Sequence, residues 1–158
     1  MKIPSGLVIT AIIVLAGASQ PALLAAAQQS ETPPPGLEKT RSLAESQHEI
    51  VSLLIRKKDY AKALDEAGKI FDMKWPADQE PLLLKSLLSL SGKFLHEGQA
   101  GLGLQLLERN RKSFRAVESR VSILKEMGYL NKNLGNDDKA LECFREAQRL
   151  ESGEARKP

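Results

Sequence analysis

Residues 131–144 of this 158-residue chain read NKNLGNDDKALECF. Gly135 is typical of the residue that ends a helix, and Asn136 is a good N-cap for a following helix. Ala140 and Phe144 are four positions apart, so that they share one face of that second helix. The stretch therefore predicts two helices joined by a tight reversal at Gly135.

The same arrangement occurs twice more toward the N-terminus. Small residues stand at Ala63, Gly103 and Ala140, with spacings of 40 and 37 positions. A reversal precedes each of them, and a small residue suits a point where two helices cross closely. Nine positions before these residues lie Leu54, Phe94 and Asn131, and four positions after them lie Ala67, Leu107 and Phe144. The period predicts three helix pairs.

Apolar residues recur at helical spacing after residue 36, and no stretch alternates cleanly enough to predict a strand. A candidate capping box at Ser42 and Glu45 marks the first helix. The predicted helices cover residues 37–57, a segment after Asp59, a segment between the break at 74–78 and Gly98, and residues 99–112, 115–133 and 137–150. The predicted fold class is all-α.

The last pair resembles a tetratricopeptide repeat (TPR). Its signature positions are occupied by Leu124, Met127, Gly128, Gly135, Ala140, Phe144 and Ala147. The first pair is similar through Asp59, Tyr60, Ala63, Leu64 and Pro76. The chain departs from the pattern at Gly103, where alanine is usual, at Asn131, where an aromatic residue is expected, and in its longer links. The resemblance covers residues 44–152 and implies a right-handed α-solenoid of three TPR-like pairs; a generic bundle of helical hairpins is the alternative.

The resemblance also implies a site. In this family the first helix of each pair lines a concave groove that binds a protein or peptide segment. The corresponding positions are Glu45, His48, Ser52, Lys85, Ser89, His96, Lys125, Tyr129 and Lys132. Their mixed polar and cationic character suits an acidic or carboxylate-ended segment. His48 and Ser52 replace the lysine and asparagine of the family's chaperone-tail clamp, so we expect no specificity for chaperone tails.

Residues 1–27 have the layout of a secretory signal peptide. Lys2 is followed by an apolar run at residues 7–16, and cleavage sites end at Ala18 and Ala27. The alternative is an uncleaved membrane anchor at residues 7–27. Ser19, Gln20 and Pro21 interrupt that segment and leave an apolar stretch too short to cross a bilayer.

The predicted domain organisation follows from these signals. Residues 28–36 form a proline-rich linker, residues 37–152 the TPR-like domain, and residues 153–158 a polar tail. We expect an exported protein, periplasmic or secreted.

Composition and motifs exclude several classes of function. The net charge of +3 is too small to indicate nucleic acid as the partner, and one cysteine excludes an internal disulfide or a multi-cysteine metal site. His48 and His96 each precede a glutamate but lack a second histidine four positions later, so neither forms a zinc-protease motif. We predict no enzymatic activity, metal, cofactor or small-molecule substrate, and an interaction adaptor as the function.

Two other classes of function stay open. The leucines at 82, 83, 84, 87, 88 and 90 leave little polar face on the third helix, which would suit a small structural subunit or assembly factor docked into a larger envelope complex. An enzyme whose site no motif reveals is the other class.

Three further features bear on partners. Arg109, Arg111, Lys112, Arg115 and Arg120 form a basic run that suits helix ends or an anionic surface. Trp75 is expected to pack between repeats rather than to anchor a partner. Cys143 is expected to pack in the last helix, with cross-linking of two chains as the alternative.

Overall fold

The computed structural model describes residues 36–153, and within this range six α-helices follow one another. Their bounds are α1 Leu37–Arg56, α2 Tyr60–Phe71, α3 Glu80–His96, α4 Ala100–Asn110, α5 Val117–Asn133 and α6 Asp137–Glu151. Short 3-10 turns at Ala77–Gln79 and Arg111–Ser113 connect the pairs, and the described residues contain no strand. The expectation of an all-α chain is confirmed. The expected signal peptide and the linker up to residue 35 lie outside the described residues, as do residues 154–158.

The first helix of each pair ends in the same backbone turn. Lys58, Gly98 and Gly135 have φ angles of 60°, 72° and 75°, which is the left-handed region. The next N–H reaches back to the helix in each case, from Asp59 to Leu54, from Gln99 to Phe94 and from Asn136 to Asn131, at 2.7–3.0 Å. This is the Schellman motif, and it recurs at the 40- and 37-residue spacings. Lys58 adopts this conformation although it carries a Cβ, whereas the two corresponding residues are glycines, which adopt it freely.

The small residues lie where the sequence periodicity expects them, at close crossings. Ala63 and Ala140 are buried, and so is Gly103. A Cβ on Gly103 would lie 3.0 Å from the carbonyl oxygen of Ser91 on α3. Asn131, the polar departure, is nevertheless buried and donates to the carbonyl of Met127 at 2.9 Å.

The capping-box prediction for α1 was wrong. The helix begins with Gly36 as its N-cap, so Ser42 and Glu45 lie within it. Ser42 contributes its carbonyl to the hydroxyl of Ser46, one turn later. Ser42 and Glu45 have the spacing of a capping box, but a capping box requires a helix that begins there, and α1 begins at Leu37.

The pairs assemble into one hydrophobic core. Each pair is a hairpin; α2 also packs on α3 and α4, and both α3 and α4 pack on α5. Fully buried side chains from successive pairs meet there, including Ile70, Leu87, Phe94 and Leu130. Trp75 packs against this core and donates from Nε1 to the carbonyl of Ile70 at 2.8 Å, so its expected packing role is confirmed.

Glu80 ties the second pair to the third. Its carboxylate accepts from the backbone N–H groups of Arg115 and Ala116, at 3.1 and 2.9 Å, just before α5 begins. Burial raises the pKa of Glu80, but hydrogen bonds from Ser119 and from these two N–H groups outweigh it and hold the pKa below 4.5. The first residue of α3 thus satisfies backbone donors at the start of α5 that would otherwise lack a partner.

Candidate functional site

The first helices α1, α3 and α5 lie side by side and are called here the first-helix row. Between α1 and the start of α3, Arg41 bonds to Gln79 at 2.5 Å and His48 to Ser86 at 2.9 Å. Between α3 and α5, the buried hydroxyl of Ser91 donates to Glu126 at 2.8 Å. Polar side chains therefore hold the row together on both sides of α3.

His48 and Ser52, expected to line a groove, take part in the contact between α1 and α3. The Nζ of Lys93 donates to Ser52 Oγ at 2.7 Å, and both His48 and Ser52 are half-buried. Burial lowers the pKa of His48, Lys93 lowers it further, and Glu49 raises it. The imidazole is therefore neutral at pH 7, and it bonds to Ser86 across the helix contact.

The His48–Ser86 pair has the distance of a base and its nucleophile but lacks the rest of a catalytic arrangement. Among residues 36–153 no side chain bonds to the other ring nitrogen of His48 to orient it. A hydrolytic triad needs that third group. What the geometry shows is a hydrogen bond that joins α1 to α3.

The remaining expected residues of the first two pairs are exposed. Lys85, Ser89 and His96 follow one another at intervals of four and seven positions, so they share the outer face of α3. Glu45 is exposed on α1. These four side chains are accessible to a partner.

The third pair presents one cation that already has a partner. Lys125 lies 2.6 Å from Glu151 at the end of α6, with both side chains about half exposed. Lys132 is exposed, and Tyr129 is 58% exposed with its ring edge-on to Phe144, the centroids 5.2 Å apart. Lys85 and Lys132 are thus the expected groove lysines that make no ion pair among the described residues.

The leucines of α3 are mostly internal. Leu87 and Leu90 are fully buried and only Leu82 is largely exposed, so the apolar surface expected on the second pair is small. The larger apolar surface is on α1, where Leu43, Ile50 and Leu53 are 43–52% exposed. We call these three residues the α1 stripe.

One residue of the α1 stripe differs from its counterparts in the later pairs. At the spacings of 40 and 37 positions Ile50 corresponds to Leu90 and Met127, which are 0% and 5% exposed. Within the described residues no pair precedes α1. Ile50 is therefore exposed at a position that is buried in both later pairs.

A separate cleft of about 950 Å³ opens between α5, α6 and the segment that joins α4 to α5. We call it the basic cleft. Its charged lining residues are Arg111, Lys112, Arg115, Arg120, Glu142, Arg145, Glu146 and Arg149, and its apolar ones are Phe114, Ile123, Leu124 and Cys143. None of the residues expected in the groove lines it.

Four members of the basic run predicted from the sequence meet in this cleft, namely Arg111, Lys112, Arg115 and Arg120. Arg109 points elsewhere, toward Asp65 at 3.6 Å. Arg145 and Arg149, which the sequence reasoning did not single out, complete the cluster from α6. Their spacing of four positions places both arginines on one face of α6, and this could have been read from the sequence. Their proximity to the segment between α4 and α5 could not, because it depends on the packing of α6 on α5.

Cys143 forms part of the apolar wall of the basic cleft. Burial raises the pKa of its thiol, Arg111 lowers it, and Glu142 and Glu108 raise it. The thiol is half-buried and protonated at pH 7, as the expected packing role requires.

Within residues 36–153 no three His, Cys, Asp or Glu side chains lie close enough together to hold a metal ion. Over the same range no helix has the length and apolar character needed to cross a membrane. Comparison of the chain with protein-family models, curated proteins and solved structures finds no match.

Proposed function

We propose that this chain is an exported, TPR-like interaction adaptor that binds a peptide or protein segment on its first-helix row. The repeated turn at Lys58, Gly98 and Gly135 supports the repeat architecture on which the proposal rests. In a right-handed α-solenoid built from such pairs, the first helices form one continuous surface.

The observation that carries the proposal is the accessible polar face of this row. Lys85, Ser89 and His96 on α3 are exposed, and so are Tyr129 and Lys132, which lie one helical turn apart on α5. An exposed tyrosine one turn from a lysine that makes no ion pair among the described residues supplies both apolar contact and charge for a partner carrying carboxylates. The half-buried hydrogen bond between Lys93 and Ser52 joins α1 to α3 and supports this arrangement of the row.

Site-specific cross-linking tests the proposal. A photo-reactive benzoylphenylalanine at Ser89 should capture a partner in the native envelope fraction. The matched position is Lys62, which is exposed on α2, away from the first-helix row, and should capture nothing specific. Equal capture from both positions, or capture from Lys62 alone, would remove the row as the binding surface.

The α1 stripe supports a second candidate, a small subunit docked into a larger envelope complex. Leu43, Ile50 and Leu53 are exposed apolar side chains, and the residues that correspond to Ile50 in both later pairs are buried. An apolar surface of this kind suits permanent burial against a partner. Exchange of all three for serine should then release the chain from its complex while leaving it folded. If the chain stays in the complex, this reading is wrong.

A further inference from the structure

The basic cleft has more positive charge than the folded chain neutralises. Six cations face two carboxylates, and one of these, Glu146, is held by Arg149. Arg111, Arg120 and Arg145 are exposed and make no ion pair among the described residues. Like charges gathered around a concave surface focus a field that attracts anions.

The chemistry of the lining favours carboxylates joined to apolar groups. Five of the six cations are arginines, whose planar guanidinium groups bind carboxylates through two parallel hydrogen bonds. The floor is apolar, with Phe114 and Ile123 buried and Leu124 and Cys143 beside them. A ligand that fits has acidic groups at the rim and an apolar side chain between them.

The distribution of charge favours an extended chain over a small anion. All the buried side chains that line the cleft are apolar, so no fixed polar donor points inward to enclose a single phosphate. The cations come from α5, α6 and the preceding segment and surround the rim. Several carboxylates along one peptide reach these separated positions at once.

We propose that the basic cleft is a second docking site, which binds an acidic segment of a partner protein through arginine–carboxylate pairs and an apolar side chain seated on its floor. The inference rests on the proposed function as an interaction protein, and it adds a surface distinct from the first-helix row. It also specifies the partner chemistry, a segment of acidic residues with apolar residues interspersed.

A defined peptide tests the cleft in the full chain. The probe is a dye-labelled peptide in which Glu-Glu-Leu is repeated four times, with binding followed by fluorescence anisotropy. The variant carries Arg111→Glu, Arg120→Glu and Arg145→Glu, which leaves Arg115 beside Glu80 unchanged. We expect binding to weaken by about tenfold or more, since several charge-assisted pairs are lost. Raising the ionic strength from about 0.1 M to about 1 M should weaken the unmodified chain's binding, because the Debye length falls from about 10 Å to about 3 Å.

Matched controls separate the effect of charge from an effect on folding. Lys57→Glu, Lys62→Glu and Lys74→Glu make the same change of charge at exposed positions outside both surfaces and should leave peptide binding nearly unchanged. The same exchange at Lys85, Lys125 and Lys132, called here the row variant, measures how much of the peptide binding belongs to the first-helix row. The glutamine versions of the three arginine exchanges should give an intermediate loss without introducing repulsion. Helical circular dichroism and the unfolding midpoint show whether each variant is folded. A peptide of Glu-Glu-Ser repeats should bind more weakly if the apolar floor contributes.

Cys143 reports the location of the peptide. It is the only cysteine of the chain and lines the cleft, so bound peptide should slow its alkylation by iodoacetamide. Loss of binding in the arginine variant together with protection of Cys143 supports the proposal. Absence of peptide binding, or binding that leaves Cys143 unprotected, overturns it.

The same measurements keep the two proposals apart. If the row variant loses the peptide and the arginine variant keeps it, the peptide binds the first-helix row and the proposal for the cleft is wrong. A third outcome is that the chain does not bind the peptide but sediments with vesicles of phosphatidylglycerol and phosphatidylcholine, whereas the arginine variant does not sediment. The cleft then binds anionic lipid, and the peptide proposal is wrong. Cross-linking at Ser89 judges the first-helix row whatever the cleft binds.

Discussion

The ring of Phe144 lies directly against the backbone of Gly128. A Cβ built on Gly128 would stand 2.7 Å from two carbons of that ring, closer than real Cβ atoms approach any neighbour. The missing side chain therefore lets α6 lie closely on α5. Tyr129, the next residue, meets the same ring edge-on.

Gly128→Ala should lower the free energy of unfolding by about 1–2 kcal/mol, because overpacking of this contact outweighs the helix propensity that alanine gains. The matched variant is Gly101→Ala in α4, where a Cβ meets nothing within 4 Å. That exchange should raise the free energy of unfolding by about 0.5–1 kcal/mol. Urea unfolding measures both. Equal effects of the two exchanges would contradict the close contact at Gly128.

Lys58→Gly should stabilise the chain by about 0.5–1 kcal/mol. The left-handed conformation at Lys58 strains any residue with a Cβ, and the gain from relieving this exceeds the added backbone entropy of glycine in the unfolded chain. Lys57, one residue earlier, has a φ of −80° and serves as the control. Lys57→Gly should destabilise. A thermal midpoint that falls for both variants would show that Lys58 is not strained.

Acidification between pH 7 and pH 5 should weaken the fold through His48. The folded-state pKa of His48 lies below 6.5, so the unfolded chain binds its proton first. The stabilising contribution is complete above pH 6.5 and is lost as the pH falls toward the folded-state pKa. Urea unfolding over a pH series measures the slope.

His48→Gln supplies the comparison, because glutamine does not titrate. Its unfolding free energy should change less between pH 7 and pH 5 than that of the unmodified chain. Glu66 and Glu80 also have lowered pKa values, but their contributions to stability are lost only below pH 4.5. The change expected between pH 7 and pH 5 is therefore assigned to His48. Identical slopes for the two proteins would rule out His48 as the titrating group.

The mature chain should begin near Gln28 if residues 1–27 are a cleaved signal peptide. N-terminal sequencing of the protein from its native envelope fraction checks this expectation. Ala25→Asp with Ala27→Asp should block cleavage, because the processing site requires small residues. Recovery of Met1 from the membrane fraction of unmodified cells would instead favour an anchor.

The order and limits of the helices could be predicted because their signals are local. Gly98 and Gly135 end helices in the sequence as they do in the structure. Most predicted limits fall within one or two residues of those observed. The start of α1 at Leu37 was predicted as well, and only the capping box assigned to Ser42 and Glu45 was wrong.

The sites were harder to predict because they depend on which helices meet. His48 and Ser52 were placed by a resemblance that assigns a face, but that face is partly covered where α3 packs on α1. Arg145 could be assigned to the basic cleft only because the fold brings it to the same cleft as Arg111, which is distant in the sequence. The composition of the sequence gives the number of such charges but does not show which of them lie close together in the fold.

The contacts between the first and second helix pairs differ in kind on their two sides. On the first-helix side, Ser52 and Lys93 meet through a hydrogen bond that water can replace at a net cost of about 1 kcal/mol. On the other side, Ala63 and Ala67 of α2 are fully buried, and opening there would forfeit close-packed contacts. We therefore expect the junction to open more readily on the α1 side, where hydrogen bonds of this kind join α1 to α3, than on the α2 side.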